Sequence, residues 1–314
     1  MKIIVTGATS FIGAAVIRQL LMEGHQVIGV VRPDTKHMEH LHRQVPAGKE
    51  AWLQVAALSM ERIGELAFLP SAAGSEAWIQ IGWEGAGSAN RIRRDVQQGN
   101  VVNSLSAIKA AAALGCSRFL FTGSQAEYGI HHEVVDEETP LRPVSEYGKA
   151  KADFANLAKD LCKSLKIEYI HTRIFSVYGP GDHPWSLVQS CLQTWQQGGH
   201  MELGACTQQW NFLYIEDTAA ALVHLLTEGR PGVYNVASAD TRCLREYLEQ
   251  LYAISQTFGG SGSFTYGDRE PNAEGQTELM PDITKILTAT SWRPVTSFTE
   301  GIYETLHCLR SGTA

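Results

Sequence analysis

The stretch Met1 to Gly24 constrains the fold more than any other part of the chain. Lys2-Ile3-Ile4-Val5-Thr6 is a short, mostly apolar, β-branched run, the pattern of a strand covered on both faces of a parallel sheet. It stops at Gly7. After Gly7-Ala8-Thr9-Ser10, apolar residues at Phe11, Ile12, Ala15, Val16, Leu20 and Leu21 return at helical spacing until Gly24 ends the run. A strand, a glycine turn and a helix in immediate succession aim the helix N-terminus and its free N–H groups at one point. A pyrophosphate can be held there without a dedicated cation. Gly7 permits the sharp turn and Gly13 the close approach of helix to strand, while Ser10 stands where a three-glycine dinucleotide fingerprint has its middle glycine.

Bulk properties exclude several classes. A chain of 314 residues with 44% hydrophobic and 19% charged residues can bury a large core and reads as a globule. Its net charge of −7 supplies neither a basic face for nucleic acid nor a polybasic patch for a membrane surface. No apolar run approaches the roughly 20 residues needed to cross a bilayer, and residues 2–6 flow into the glycine turn rather than into a signal-peptide pattern. Six cysteines without a Cys-x-x-Cys pair are expected to be reduced thiols of a cytoplasmic protein. Neither these nor His131-His132-Glu133 has metal-ligand spacing, so no metal is expected.

Further along, a second strand over 25–31 ends at Arg32-Pro33-Asp34. A carboxylate at that strand end accepts from the adenosine 2′-hydroxyl, whereas an arginine suits a 2′-phosphate. Val31 and Arg32 therefore favour NADP, with Asp34 the group that would reach the ribose of NAD. Strands are expected at 53–58 and 77–82 around a helical stretch near 59–66. The glycine-rich loop Trp83 to Ser88 follows at the edge that faces the ligand crevice. A helix over 96–114 is expected to carry Val101, Val102, Leu105, Ile108 and Ala112 on one stripe. A fifth strand, 118–122, ends in Gly123-Ser124, and the next helix holds Tyr147 and Lys151 one turn apart on one face.

That pair has a chemical use. A free tyrosine titrates near 10, and an ammonium one turn away favours its phenolate, making it a usable acid or base. A hydroxyl such as Ser124, delivered from a neighbouring strand end, can hold the substrate oxygen.

Seven blocks occur in order: Thr6 to Gly13, Phe121 to Gly129, Tyr147 to Lys151, Arg173 to Asp182, Phe212 to Asp217, Gly232 to Val236, and Trp292-Arg293-Pro294. Together they resemble the extended short-chain dehydrogenase/reductase family, in particular its sugar-nucleotide epimerases, reductases and dehydratases. The resemblance implies an α/β fold, a doubly wound parallel Rossmann sheet with a smaller C-terminal substrate-binding lobe. Residues 1–180, with 211–238 returning, would bind the dinucleotide, and 181–210 with 239–314 would form most of the lobe. It further implies that Tyr147 exchanges the proton, Lys151 tunes it and binds the nicotinamide ribose, and Ser124 hydrogen-bonds the reacting sugar oxygen. Cofactor contacts would come from Gly7, Thr9, Ser10, Phe11, Ile12, Gly13, Arg32, Leu58, Tyr147, Lys151 and Phe175, and substrate contacts from Trp83, Gln125, Ser176, Trp210 and Arg269. A homodimer through the helices at 96–114 and 147–164 is the implied assembly.

Departures sharpen the choice of reaction. The dehydratases carry an Asp-Glu pair after the active-site hydroxyl; here Gln125 and Ala126 stand there, and Glu127, one place along, is expected to point elsewhere. Ala57 replaces an aspartate near the adenine, Trp210 an arginine for the substrate diphosphate, and Ser176 an asparagine. The expected activity is NADPH-dependent reduction of a nucleotide-linked 4-keto sugar. NAD-dependent 4-epimerisation is the alternative, and a non-catalytic NAD(P)-binding sensor or scaffold is the third reading.

Overall fold

The computed structural model describes residues 1–267 and 277–311. In chain order its elements are β1 (Lys2–Thr6), α1 (Phe11–Met22), β2 (Gln26–Val31), α2 (Met38–Gln44), β3 (Leu53–Ala57), β4 (Ala77–Gln80), α3 (Arg94–Ala113), β5 (Arg118–Ser124), α4 (Glu146–Leu165), β6 (Glu168–Ile174), β7 (Ser176–Tyr178), α5 (Leu187–Gln196), β8 (His200–Leu203), β9 (Gln209–Tyr214), α6 (Ile215–Thr227), β10 (Gly232–Val236), β11 (Thr241–Cys243), α7 (Leu244–Thr257), β12 (Ser263–Tyr266), α8 (Thr284–Ala289) and α9 (Phe298–Ser311). Short 3-10 turns punctuate them, the longest over Met60–Phe68.

Seven strands form one parallel sheet in the order β3-β2-β1-β4-β5-β6-β10. Both faces are covered. Ile3 and Val5 pack with Val16, Ile17 and Leu222 on the α1/α6 side, while Ile4, Trp78 and Phe121 pack with Ile108 and Phe154 under α3 and α4. This two-sided burial is why β1 reads as a continuous apolar run rather than an alternating one. The strand order reverses between β1 and β4, which opens a crevice at their carboxyl ends. A third apolar cluster, with Tyr178, Trp195, Tyr247, Leu251 and Phe298, joins α5, α7 and α9 to a three-stranded sheet (β11-β9-β7) and the β8–β12 pair.

Two blocks of the sequence pattern are structural ties. Trp292 Nε1 donates to the Asp217 carbonyl (3.0 Å), and the buried Asp217 carboxylate accepts from the Thr296 N–H (2.9 Å), so the segment after α8 is fixed to α6. Asn235 on β10 accepts from the Tyr128 hydroxyl (2.6 Å).

Expectation and structure differ at three places. β4 ends two residues early, because the Ile81 and Gly82 N–H groups turn to Thr6 Oγ1 (3.1 and 3.0 Å) instead of extending the ladder. On α3 the buried face is Gln97, Val101, Ser104, Ile108 and Ala111, and Val102 is 63% exposed. Three polar residues (Gln97, Asn100 and Ser104) in the buried stripe masked its true register. α2 carries only one buried apolar residue, Leu41, and had no legible period.

Candidate active site

The crevice is lined first by the turn between β1 and α1. Gly7 has φ +68°, and a Cβ on it would lie 2.9 Å from the Gly82 nitrogen. A Cβ on Gly13 would lie 2.1 Å from the Gly7 carbonyl oxygen. Only glycine fits either position. Ser10 is the N-cap of α1, its Oγ accepting the Gly13 N–H at 3.1 Å. That leaves the first-turn N–H groups of Phe11 and Ile12, which no helix pairs internally, at the positive end of the helix. A dinucleotide pyrophosphate fits this cradle.

At the end of β2, Val31 is buried, while Arg32, Asp34 and Lys36 are exposed. Leu58 donates its N–H to the Val31 carbonyl (2.9 Å), and Thr9 Oγ1 lies 3.3 Å from Thr35 Oγ1, so turn and strand end form one edge. Lys36, a second cation on that edge, was not singled out in the sequence; its signal is its place four residues after Arg32.

The chemical end is built by β5 and the first turns of α4. Ser145 caps α4 by accepting the Gly148 N–H (3.0 Å). Gly148 presses against the turn after Ser124, since a Cβ on it would lie 2.4 Å from the Ala126 carbonyl oxygen. This contact brings Tyr147 to the end of β5. Ser124 Oγ accepts the Ala126 N–H (3.2 Å), which leaves its own O–H to donate elsewhere.

Lys151 is 3% exposed, and its Nζ donates to the Thr122 carbonyl at 2.7 Å. The ammonium sits 4.0 Å from the Trp83 ring centroid, 4.5 Å from that of Phe121 and 5.5 Å from that of Tyr147. Burial pushes Lys151 down to about 7; the Glu127 carboxylate opposes the change and the Arg91 guanidinium adds to it. Trp83 is held by its Nε1 donating to Gln97 Oε1 (2.7 Å) and meets Tyr147 edge-on, so it walls the Tyr147–Lys151 pair.

Glu127 does point elsewhere. It is fully buried and accepts from the Ser124 N–H (2.8 Å), His171 Nε2 (2.9 Å) and Arg173 Nε (3.2 Å), with Tyr169 Oη 2.9 Å from His171 Nδ1. Burial alone would raise its carboxyl; His171, Arg173 and the Ser124 N–H outweigh that and hold it below the usual carboxylate range. The network was missed from sequence, although Ser124-x-x-Glu127 has capping-box spacing and His171 and Arg173 share one face of β6.

The remaining expected contacts divide. Gln125 and Ser176 are half-buried. Phe175 is 5% exposed, gives its N–H to the Val236 carbonyl (3.1 Å) and packs beside the Tyr128 ring. Trp210 is half-buried beside Phe212, its Nε1 shielded from solvent without a hydrogen-bond partner. Arg269 lies outside the described residues. A cavity of about 240 Å³ lined by Phe11, Arg18, His40, Gly181, Tyr214 and Glu304 opens behind α1 and reaches none of Ser124, Tyr147 or Lys151. Among the described residues there is no cluster of metal-ligating side chains and no helix long and apolar enough to cross a membrane.

Residues 3–237 match the NAD dependent epimerase/dehydratase family. The chain belongs to that family. It is 24% identical over 215 residues to dTDP-D-glucose 4,6-dehydratase of Mus musculus, an alignment covering 67% of this chain and 61% of that protein. It is 24% identical to dTDP-6-deoxy-L-talose 4-dehydrogenase (NAD(+)) of Aggregatibacter actinomycetemcomitans, over 81% of this chain and 90% of the relative. Its fold matches UDP-glucose 4-epimerase of Thermotoga maritima, solved with UDP-glucose, at TM-score 0.84 with 20% identity over 100% of both chains. In this member of the epimerase/dehydratase family, Gln125 and Ala126 follow Ser124, and Arg32 stands at the end of β2.

Proposed function

We propose that the chain is an NAD(P)-dependent oxidoreductase of nucleotide-linked sugars that reduces a 4-keto sugar with NADPH. The observation that carries the cofactor choice is the end of β2: Val31 is buried, and Arg32 and Lys36 offer two exposed cations where a 2′-phosphate would lie. A nicotinamide cofactor, when bound, supplies the hydride.

The protein's own part is proton handling and orientation. Tyr147 donates its proton to the carbonyl oxygen as charge grows on it, and the Ser124 O–H hydrogen-bonds the same oxygen. Lys151, fixed by the Thr122 carbonyl, stabilises the phenolate left behind. Trp83 excludes water from the pair. Eliminating water needs a further acid and base beside Ser124; Gln125 and Ala126 cannot titrate, and Glu127 is committed to His171 and Arg173. This argues against dehydration.

Epimerisation at the same carbon uses the same groups and is favoured by the full-length structural likeness to a 4-epimerase. The test is steady-state NADPH consumption with a 4-keto-6-deoxy sugar nucleotide, with NADPH bound at least about tenfold more tightly than NADH and Arg32→Ser removing the preference. Interconversion of sugar nucleotides with no added cofactor would instead establish the epimerase. Exposed Val102 on α3 and Leu157 on α4 suit a homodimer through those helices, and the free cysteines suit a reducing, cytoplasmic setting.

A further inference from the structure

Resting on the reading of Tyr147 as the acid–base group, we propose that Arg91 is a positioning residue that keeps the Tyr147 phenolate accessible by holding a permanent positive charge against the face of its ring. Two contacts fix the pair. The Tyr147 backbone N–H, in the first turn of α4 where the helix itself supplies no acceptor, donates to the Arg91 carbonyl at 2.9 Å. The Arg91 guanidinium carbon then lies 4.2 Å from the Tyr147 ring centroid, nearer than the Lys151 ammonium at 5.5 Å. A cation over an aromatic face attracts the π-cloud, and attracts it more strongly once the hydroxyl has ionised.

The charges around the ring make this second cation consequential. Lys151 is enclosed by Trp83, Phe121 and the Thr122 carbonyl, and its burial pushes it down to about 7. A guanidinium stays charged throughout that range. Among the described residues, Glu127 from the turn after β5 is the carboxylate that acts on Lys151, and it is itself engaged by His171 and Arg173 of β6. On the loop before α3, Glu84 is exposed and Arg93 is paired with Asp95 (2.6 Å); on α4, Glu146 is paired with Lys149 (2.7 Å). Among the described residues, Arg91 is therefore a cation that acts on Tyr147 independently of the protonation of Lys151, its guanidinium also reaching the Ala86 carbonyl.

The test is an ultraviolet titration of tyrosinate in the full-length protein, with the Tyr147 contribution isolated as the difference between the wild type and Tyr147→Phe. Arg91→Met is expected to raise the Tyr147 midpoint by about one pH unit, and Arg91→Lys, which keeps a cation without the planar stack, by less than half as much. An unmoved midpoint in Arg91→Met, with a native circular dichroism spectrum, overturns the proposal. If Arg91→Met does not fold, a rise of a full unit in Arg91→Lys overturns it equally, because charge would then not be what matters. No turnover is read, so this outcome is separable from failure of the oxidoreductase reading, which NADPH binding and consumption decide.

Discussion

Glu127→Gln probes the buried network beneath the candidate site. In the wild type one carboxylate receives three donors at 2.8–3.2 Å (Ser124 N–H, His171 Nε2 and Arg173 Nε), and its charge also faces Lys151. Glutamine preserves the volume but offers a single acceptor oxygen and turns an NH₂ toward donors, and it leaves the buried Arg173 and Lys151 without their counter-charge. Removing one partner of such a buried arrangement costs about 3–5 kcal/mol. For a chain of this size that lowers the melting temperature by about 5–10 °C. Calorimetry at neutral pH, with denaturant unfolding as a second probe, measures the loss. The sign of its pH dependence follows from the depressed Glu127 carboxyl: the stabilisation is present above the ordinary carboxylate range and is lost as pH falls below it. The gap between the two proteins therefore narrows in acid. A loss below about 1 kcal/mol, or a gap that widens in acid, refutes this account of the network.

Two further perturbations test the crevice. Gly13→Ala places a Cβ 2.1 Å from the Gly7 carbonyl oxygen, so it is expected to cost at least about 2 kcal/mol in denaturant unfolding and to abolish measurable NADPH binding by fluorescence titration; unchanged binding contradicts the packing argument. Lys151→Met removes a buried amine whose folded value is about 7, so below that pH it is expected to stabilise the fold by on the order of 4 kcal/mol, less what the lost Thr122 hydrogen bond contributes. The folded state binds fewer protons than the unfolded one between about 7 and the ordinary lysine value, so wild-type stability rises with pH across that window while that of Lys151→Met does not. Parallel pH curves for the two proteins contradict it.

The sheet and its crevice were legible because β1, β2, β4 and β5 are buried on both faces and their turns are marked by glycine or by Arg32-Pro33. The pair Tyr147 and Lys151 was legible from helical spacing, and Gly13 from its distance along the turn. What escaped was set by long-range polar contacts. The face of α3 is chosen by Gln97, which holds Trp83 and the Gly85 carbonyl, and by Asn100, which brackets the Glu84 backbone; no apolar period records this. The early end of β4 depends on Thr6, 75 residues away in the chain. Arg91 sits in a loop with no periodicity, and only the fold brings it onto the ring of Tyr147.

The central claim is that Tyr147 moves the proton while a dinucleotide is held at the N-terminus of α1. Tyr147→Phe, assayed for NADPH consumption with a 4-keto-6-deoxy sugar nucleotide beside a parallel NADPH binding titration, tests it most directly. Turnover is predicted to fall at least about 10²-fold with the dissociation constant of NADPH changed by less than about threefold. Turnover that survives the substitution, or a wild type that binds neither NADPH nor NADH, contradicts it.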